Sequence, residues 1–363
     1  MKFRISWDAG SLQEAHFLII INRMNVLGIE TSCDETSAAV LRDGTVLSNI
    51  TRTQLAHSAY GGVVPEIASR VHQQLIIPVV DEALRQAGVG RDKLDAVAAT
   101  YGPGLIGSLL VGLSFGKAFA KARGIPFVGV NHMEAHLLSN LIDEPRPSFP
   151  FVNLTVSGGH TQLVLVNAPF RYSVLGETRD DAAGEAFDKA AKMLGIGYPG
   201  GPLIDALAKK GNPKAVQFPR PFLEEGSLEF SFSGLKTSLL YYLRRNGITG
   251  ETLKKEPARL ADLCASFQAA ILDVLIGKLL DAASRFGARD ICVSGGVAAN
   301  SELRHRLGEE ASARGLRLFI PRFEFCTDNG AMIAAAGYLK LKEEGGSSFE
   351  LAAEPNLLLQ EGA

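Results

Sequence analysis

Two histidines four residues apart, in His132-Met133-Glu134-Ala135-His136, are the sharpest chemical signal in this sequence. At i and i+4 of a helix the two rings share one face, about 6 Å apart, and can hold one metal ion. The pair follows Pro126 to Val130, an apolar stretch that reads as a buried strand. The competing reading is a pair of histidines satisfied within the structure. A zinc peptidase places Glu directly after the first His, where it serves the bound water. Here Glu134 stands two positions on, which turns it about 200° from the histidine face. Two imidazoles alone leave the site short of a third ligand, preferably a carboxylate from elsewhere.

Other motifs carry weaker signals. Gly102-Pro103-Gly104-Leu105-Ile106-Gly107 fits G-x-G-x-x-G between a strand and a helix, the context of a dinucleotide fingerprint. It lies in mid-domain, and a glycine turn for close packing explains it as well. Gly112 to Ala118 is one residue short of a phosphate loop and lies inside a helix. Val293 to Asn300 reads as strand, glycine turn and helix start, with Asn300 either an N-cap or a nucleoside contact. Asp328 also reads as an N-cap, and Asp188 as a surface charge. Residues 205–260 hold ten Lys/Arg against six Asp/Glu, a balance compatible with a polyanion partner.

These residues need a scaffold. Asn25 to Leu41 reads as strand, polar loop, strand, and Phe151 to Asn167 repeats the design. Both tips are rich in Gly, Ser and Thr and can turn N–H and hydroxyl groups toward an anion. The repeat predicts a duplicated lobe. Between the hairpins, a helix over 65–87 with a kink or break at Pro78, a strand over 95–100, a helix over 105–123 and a strand over 126–130 predict a largely parallel α/β sheet. Ser108, Gly112 and Gly116 form a small-residue stripe for close packing. Beyond the second hairpin we expect a helix over 180–194, a rigid turn over 198–202, a mixed polar stretch over 209–259 and a helix over 261–286. A strand over 290–293, a helix from 301, a strand ending near 320 and a helix over 328–342 follow. The tail after Glu344 reads as loosely held.

With 363 residues, 46% apolar and 21% charged, the chain can bury two lobes. A net charge of −2 excludes nucleic-acid binding by bulk charge alone. Four cysteines without a C-x-x-C pair argue against zinc ribbons and point to the cytoplasm. Apolar stretches are broken by Gly or charge short of about 20 residues, so no membrane span is expected. Residues 1–23 lack a signal-peptide pattern. The strong strand right after Met24 suggests that they are a dispensable arm or precede the true start.

Six segments together resemble one family. They are Gly28 to Thr36, Gly61 to Glu66, His132 to His136, Val156 to Gln162, Asp181 to Lys189 and Phe325 to Gly330. In this order they resemble the TsaD family of bacterial tRNA threonylcarbamoyladenosine transferases, from Met24 to about Lys342. The resemblance implies an α/β fold of the actin, Hsp70 and sugar-kinase type, with a duplicated core and a nucleotide cleft. It implies a first lobe over 24–131 plus about 325–345, a second over 132–324, an extension over 1–23 and a tail over 346–363. It supplies the third metal ligand, since His132, His136 and Asp328 match the family's metal positions, usually assigned to Fe2+ with Zn2+ possible.

The implied reaction moves threonylcarbamoyl from threonylcarbamoyl-AMP to the exocyclic amine of adenosine 37, in tRNAs reading codons that begin with A. Backbone groups of Thr155, Val156, Ser157, Gly158 and Gly159 are then expected to hold the donor's phosphate or carbamate end. Asp188 and Asp205 would bind ribose hydroxyls or neighbouring polar groups. Gly201, Gly295, Gly296 and Asn300 would line the nucleoside, and Glu35 is a candidate base. Implied partners are a TsaB-like paralogue, on the helices between Pro65 and Arg123, and a TsaE-like ATPase. A small-molecule kinase of the same fold and, below it, a metallo-endopeptidase remain as alternatives.

Overall fold

A computed structural model describes residues 23–54, 57, 62–222, 224 and 226–359. The expectation for the N-terminal extension therefore lies outside the described residues, all but Arg23. The first half runs β1 (Asn25–Glu30), β2 (Glu35–Arg42), β3 (Thr45–Thr53), α1 (Pro65–Ala87), β4 (Ala96–Gly102), α2 (Ile106–Arg123), β5 (Phe127–Asn131) and α3 (His132–Leu138). Next come β6 (Phe151–Val156), β7 (Thr161–Ala168), β8 (Arg171–Glu177), α4 (Ala183–Leu194), α5 (Gly200–Ala208), α6 (Ser233–Arg245), α7 (Gly250–Lys255) and α8 (Pro257–Arg285). The chain closes with β9 (Asp290–Ser294), α9 (Ser301–Arg314), β10 (Arg317–Phe319), α10 (Phe323–Cys326) and α11 (Gly330–Glu343).

The duplication is visible in the sheets. One has the order β3-β2-β1-β4-β5, the other β8-β7-β6-β9-β10. In each, the opening hairpin is antiparallel and its first strand pairs in parallel with the later one, β1 with β4 and β6 with β9. The fold is thus the two-lobed α/β type. Every residue of β1, β6 and β9 is buried, as strands covered by helices on both faces require. α1 and α2 cover one face of the first sheet, and α11 covers the other.

Glycines set how close α11 comes. A Cβ on Gly28 would sit 2.4 Å from the Ala334 nitrogen, and one on Gly337 would sit 2.3 Å from the Ala98 Cβ. Only bare backbone allows that approach, and it brings the residues just before α11 to the first lobe.

Several expectations shift. α1 runs unbroken through Pro78, because Ile76, Val79, Val80 and Ala83 on either side are buried and hold it. α4 starts at Ala183, not 180, since the Asp180 carboxylate is bound to Phe232 and Ser233 amides at the start of α6. Gly200 to Pro202 open α5, so the turn is only Tyr198-Pro199. The polar stretch over 209–259 contains α6 and α7, whose Leu235, Leu239, Leu243 and Leu253 feed the second core. α8 is long and apolar enough to cross a membrane by length and composition, but most of it is buried in that same core.

The tail is not loose. Ser347 N donates to the Phe127 carbonyl at 2.7 Å, Glu354 N to that of Tyr101 at 2.7 Å, and Gly104 N to that of Pro355 at 3.0 Å. Its backbone adds hydrogen bonds along the β4–β5 edge, which composition does not report.

Candidate metal centre

The helix that carries the histidines is only seven residues long and wholly buried. Asn131, the last residue of β5, starts it: its Oδ1 accepts the Met133 and Glu134 amides at 2.8 and 3.4 Å. This N-cap satisfies donors that a short helix otherwise strands. The rings of His132 and His136 lie 4.6 Å apart, nearly perpendicular.

Asp328 arrives from the other end of the sequence. Asn329, not Asp328, caps α11, with its Oδ1 accepting Met332 N at 3.0 Å. Gly330 N donates to Ser37 Oγ at 2.8 Å, which pins the turn to β2. The Asp328 side chain is thereby left free of capping. Its Oδ1 lies 3.2 Å from His136 Nε2 and 3.4 Å from His132 Nε2. The three donor atoms fall within 4.8 Å of one another. Ligands about 2.1 Å from one ion stand about 3–4 Å apart, so the set fits a single divalent cation.

Sequence reasoning did not assign Glu30, which completes the arrangement. Glu30 is fully buried at the end of β1. It accepts the Ser32 amide and, at 2.6 Å, the Thr100 hydroxyl. Its Oε2 lies 3.1 Å from His132 Nδ1, and Ser32 Oγ lies 3.2 Å from the same nitrogen. A carboxylate behind a ligating imidazole fixes its tautomer and leaves Nε2 for the ion. The usable signal was a carboxylate ending an otherwise apolar strand. His136 Nδ1 is buried and lacks a hydrogen-bond partner among the described residues.

The charges agree with this layout. Burial pushes the Asp328 and Glu30 carboxyls up, but the His132 imidazole beside both outweighs it and holds each below its usual range. Burial would lower His132, yet Asp328 and Glu30 overcome it and hold that imidazole protonated well above its ordinary value. A divalent cation entering here replaces that proton.

Glu134 points elsewhere. Its carboxylate accepts the Tyr172 hydroxyl, and burial pushes it up. It is not placed to serve a water on the ion, and the peptidase alternative loses its base.

The second hairpin tip faces the site. His160 is held down to about 4, first by burial and then by the charges of His132 and His136. Gly158 and Gly159 have nothing within 4 Å of where a Cβ would sit, so their backbone is open. Thr155 and Val156 are buried ladder residues paired with β7, and Thr155 also pairs with Ser294 of β9. The Ser157 amide is spent on the His160 carbonyl at 2.8 Å.

Asp188 accepts the Gly200 amide at 2.6 Å, and Asp205 accepts Ser301 N and Oγ at 3.2 and 2.9 Å. Asn300 caps α9 through Leu303 N at 2.9 Å and donates to Gln268 at 2.8 Å, so its amide is already engaged. Gly201 is open, Gly295 has φ +86 with a Cβ position 2.4 Å from the Val156 carbonyl, and Gly296 approaches Thr327 beside Asp328.

Across from them, Glu35 is pushed well above the usual carboxylate range by burial, then by Asp328 and Asp34. Burial, then Asp34 and Asp188, raise Tyr198. The G-x-G-x-x-G segment is a packing turn: Leu105 N donates to the Ser32 carbonyl at 2.8 Å, and a Cβ on Gly104 would sit 2.6 Å from it.

The buried neutral imidazoles predict acid sensitivity. His160 titrates at about 4 folded against 6.5 in a free chain. Between those values the unfolded chain binds a proton that the folded one refuses, so stability falls as pH drops from 6.5 toward 4, by at most about 3 kcal/mol. Burial lowers His72 in the same direction. Urea melts across this range should show a shallower loss for His160→Gln than for wild type.

The fold and site define the class as a two-lobed α/β protein with a two-histidine, one-carboxylate cluster compatible with a single metal ion. The profile of the TsaD family, tRNA N6-adenosine threonylcarbamoyltransferase, matches residues 45–335. The chain belongs to that family and is an acyltransferase. It is 50% identical over 340 residues to the tRNA N6-adenosine threonylcarbamoyltransferase of Cytophaga hutchinsonii, covering 93% of this chain and 98% of that one. With its Geobacter metallireducens counterpart it shares 55% over 316 residues, 86% and 91% of the two chains. Among solved structures, HypF of T. kodakarensis superposes with a TM-score of 0.60 at 16% identity. The superposition covers 89% of this chain and 48% of HypF, and it bears on the fold alone.

Proposed function

We propose that this chain transfers threonylcarbamoyl from threonylcarbamoyl-AMP to N6 of adenosine 37 in tRNAs reading codons that begin with A, in the cytoplasm. The observation that carries the reading is the His132, His136 and Asp328 set on a chain of this family. The first lobe is 24–131 with about 325–345, the second 132–324. His132, His136 and Asp328 would hold an Fe2+ or Zn2+ ion, which would supply Lewis-acid character to the site.

The chain's own residues do the rest. The backbone of Thr155 to Gly159, open at Gly158 and Gly159, receives the donor's phosphate or carbamate end. Gly201, Gly295, Gly296 and Asn300 line the nucleoside, and Asp188 and Asp205 bind ribose hydroxyls or neighbouring polar groups. The exocyclic nitrogen attacks the donor carbonyl carbon, the bond from that carbon to the phosphate oxygen breaks, and AMP leaves with the electron pair. Glu35, at the first hairpin tip, takes the amine proton as that nitrogen attacks. The leaving group is good and the amine weak, so positioning supplies much of the rate. The acceptor base leaves the anticodon stack to reach the cleft, at about a few kcal/mol.

Ile77, Ile106 and Leu110 are half exposed on α1 and α2 and suit an apolar partner face for a TsaB-like paralogue. A TsaE-like ATPase completes the set. The test is transfer of labelled threonine from threonylcarbamoyl-AMP to tRNA with purified partners. Wild type should label tRNA, and Glu35→Gln should lose about 10²–10⁴-fold in rate. Full activity in Glu35→Gln removes that residue from the chemistry. No labelling by wild type, beside an active enzyme set, returns the chain to the kinase alternative, for which ADP release is then assayed.

A further inference from the structure

The C-terminal segment 346–359 reaches both flanks of His132. On one side, Asn131 Nδ2 donates to the Leu358 carbonyl at 3.1 Å, while Oδ1 of the same side chain caps the histidine helix. Asn131 is 2% exposed. On the other side, the Pro355 carbonyl accepts Gly104 N at 3.0 Å, and the next amide, Leu105 N, donates to the Ser32 carbonyl at 2.8 Å. Ser32 Oγ in turn lies 3.2 Å from His132 Nδ1. One route ends at Asn131, the covalent neighbour of His132, and the other at Ser32, in reach of the imidazole itself.

The docking is close. A Cβ on Gly102 would sit 2.1 Å from the Glu354 carbonyl, and one on Gly129 would sit 2.1 Å from Leu351 Cδ2. Gly129 N donates to Ser347 Oγ at 3.0 Å, and Lys117 Nζ donates to the Leu351 carbonyl. At its far end Leu359 packs on a cluster that includes Leu137 of α3 and Phe151 of β6. The segment therefore runs from the edge of the first sheet, past the metal helix, to the second sheet.

We infer that this segment is a strap that sets the metal-binding geometry of His132, with Asn131 as the positioning residue that couples them. The inference rests on the His132, His136 and Asp328 set binding a divalent ion. Groups that hold a ligand in orientation typically change metal affinity about 10–100-fold. Binding at two sites is reciprocal, so if the docked strap favours the ion, the ion favours the docked strap by the same factor.

Zn2+ affinity, measured by competition with a chromogenic chelator, tests the strap in three chains. One ends at Leu357 and lacks the Leu358 acceptor. Another carries Asn131→Ser, which can still cap the helix but does not reach the strap. The third combines both changes. Each single change is expected to weaken Zn2+ binding about tenfold, and the combination no more than either, because both break one bond.

His136→Ala, which removes a ligand atom itself, is the control for the metal site. If it leaves Zn2+ affinity unchanged, the metal reading fails rather than the strap. With His136→Ala weakened, unchanged affinity in the truncated chain overturns the strap, as do additive losses. A truncation that lowers the melting temperature without weakening Zn2+ binding of the folded chain also overturns it. Should the shortened chain fail to fold, amide exchange in the full chain decides. Zn2+ should slow exchange at Gly104, Ser347 and Glu354 about tenfold, and no change there rejects the coupling.

Discussion

His132→Ala with His136→Ala is expected to abolish labelling of tRNA, a fall of about a thousandfold or more, while the chain stays folded. Lewis-acid polarisation supplies several kcal/mol, and about 4 kcal/mol is a thousandfold in rate. Both imidazole Nε2 atoms converge on Asp328 within 3.4 Å, so removing them leaves one carboxylate that cannot retain the ion alone. Metal content and transfer rate should fall together. The affinity of the wild type should also rise with pH, because the ion displaces the proton that Asp328 and Glu30 hold on His132. Equilibrium dialysis at several pH values measures both. Transfer undiminished in the double variant would separate the reaction from the metal.

The second large effect belongs to Glu30→Gln. The substitution keeps shape and burial but removes the charge behind His132, and metal affinity should fall about 10–100-fold. The amide NH2 also presents donors where Glu30 now accepts from Ser32, Thr100 and His132. Stability should respond to pH with a definite sign. Burial raises the Glu30 carboxyl, but His132 and Thr100 bring it below its free value of 4.5. The stability it contributes is fully present above 4.5 and is lost as pH falls through the lower folded value. Thermal melts between pH 7 and 3 should therefore show an acid loss in wild type that is reduced in Glu30→Gln. Unchanged metal affinity in that variant would leave Glu30 with a structural role only.

Much of this molecule was legible because local patterns carried it. α1 spans 65–87 as expected, and the paired hairpins emerged as two sheets of matching order. Apolar runs bounded by glycine and proline report burial directly, and periodicity separates helix from strand. The histidine pair was equally local, since helical geometry alone puts i and i+4 on one face. Glu134 turned away from that face, as its spacing required.

Long-range placement was not local. By itself the sequence determined that His132 and His136 share a face, that the chain forms two α/β halves, and, through resemblance, that Asp328 belongs with them. Only the tertiary structure decided that Asn329 rather than Asp328 caps α11, because that depends on which side chain the Gly330–Ser37 contact leaves free. It alone placed Glu30 behind His132, committed Asp205 and Asn300 to neighbouring elements, and docked the tail against Asn131. Each of these except the Asn300 bond to Gln268 joins residues 96 or more apart in sequence. Periodicity reports which face a side chain shares, and the partner on that face is chosen by how the sheets and helices close upon one another.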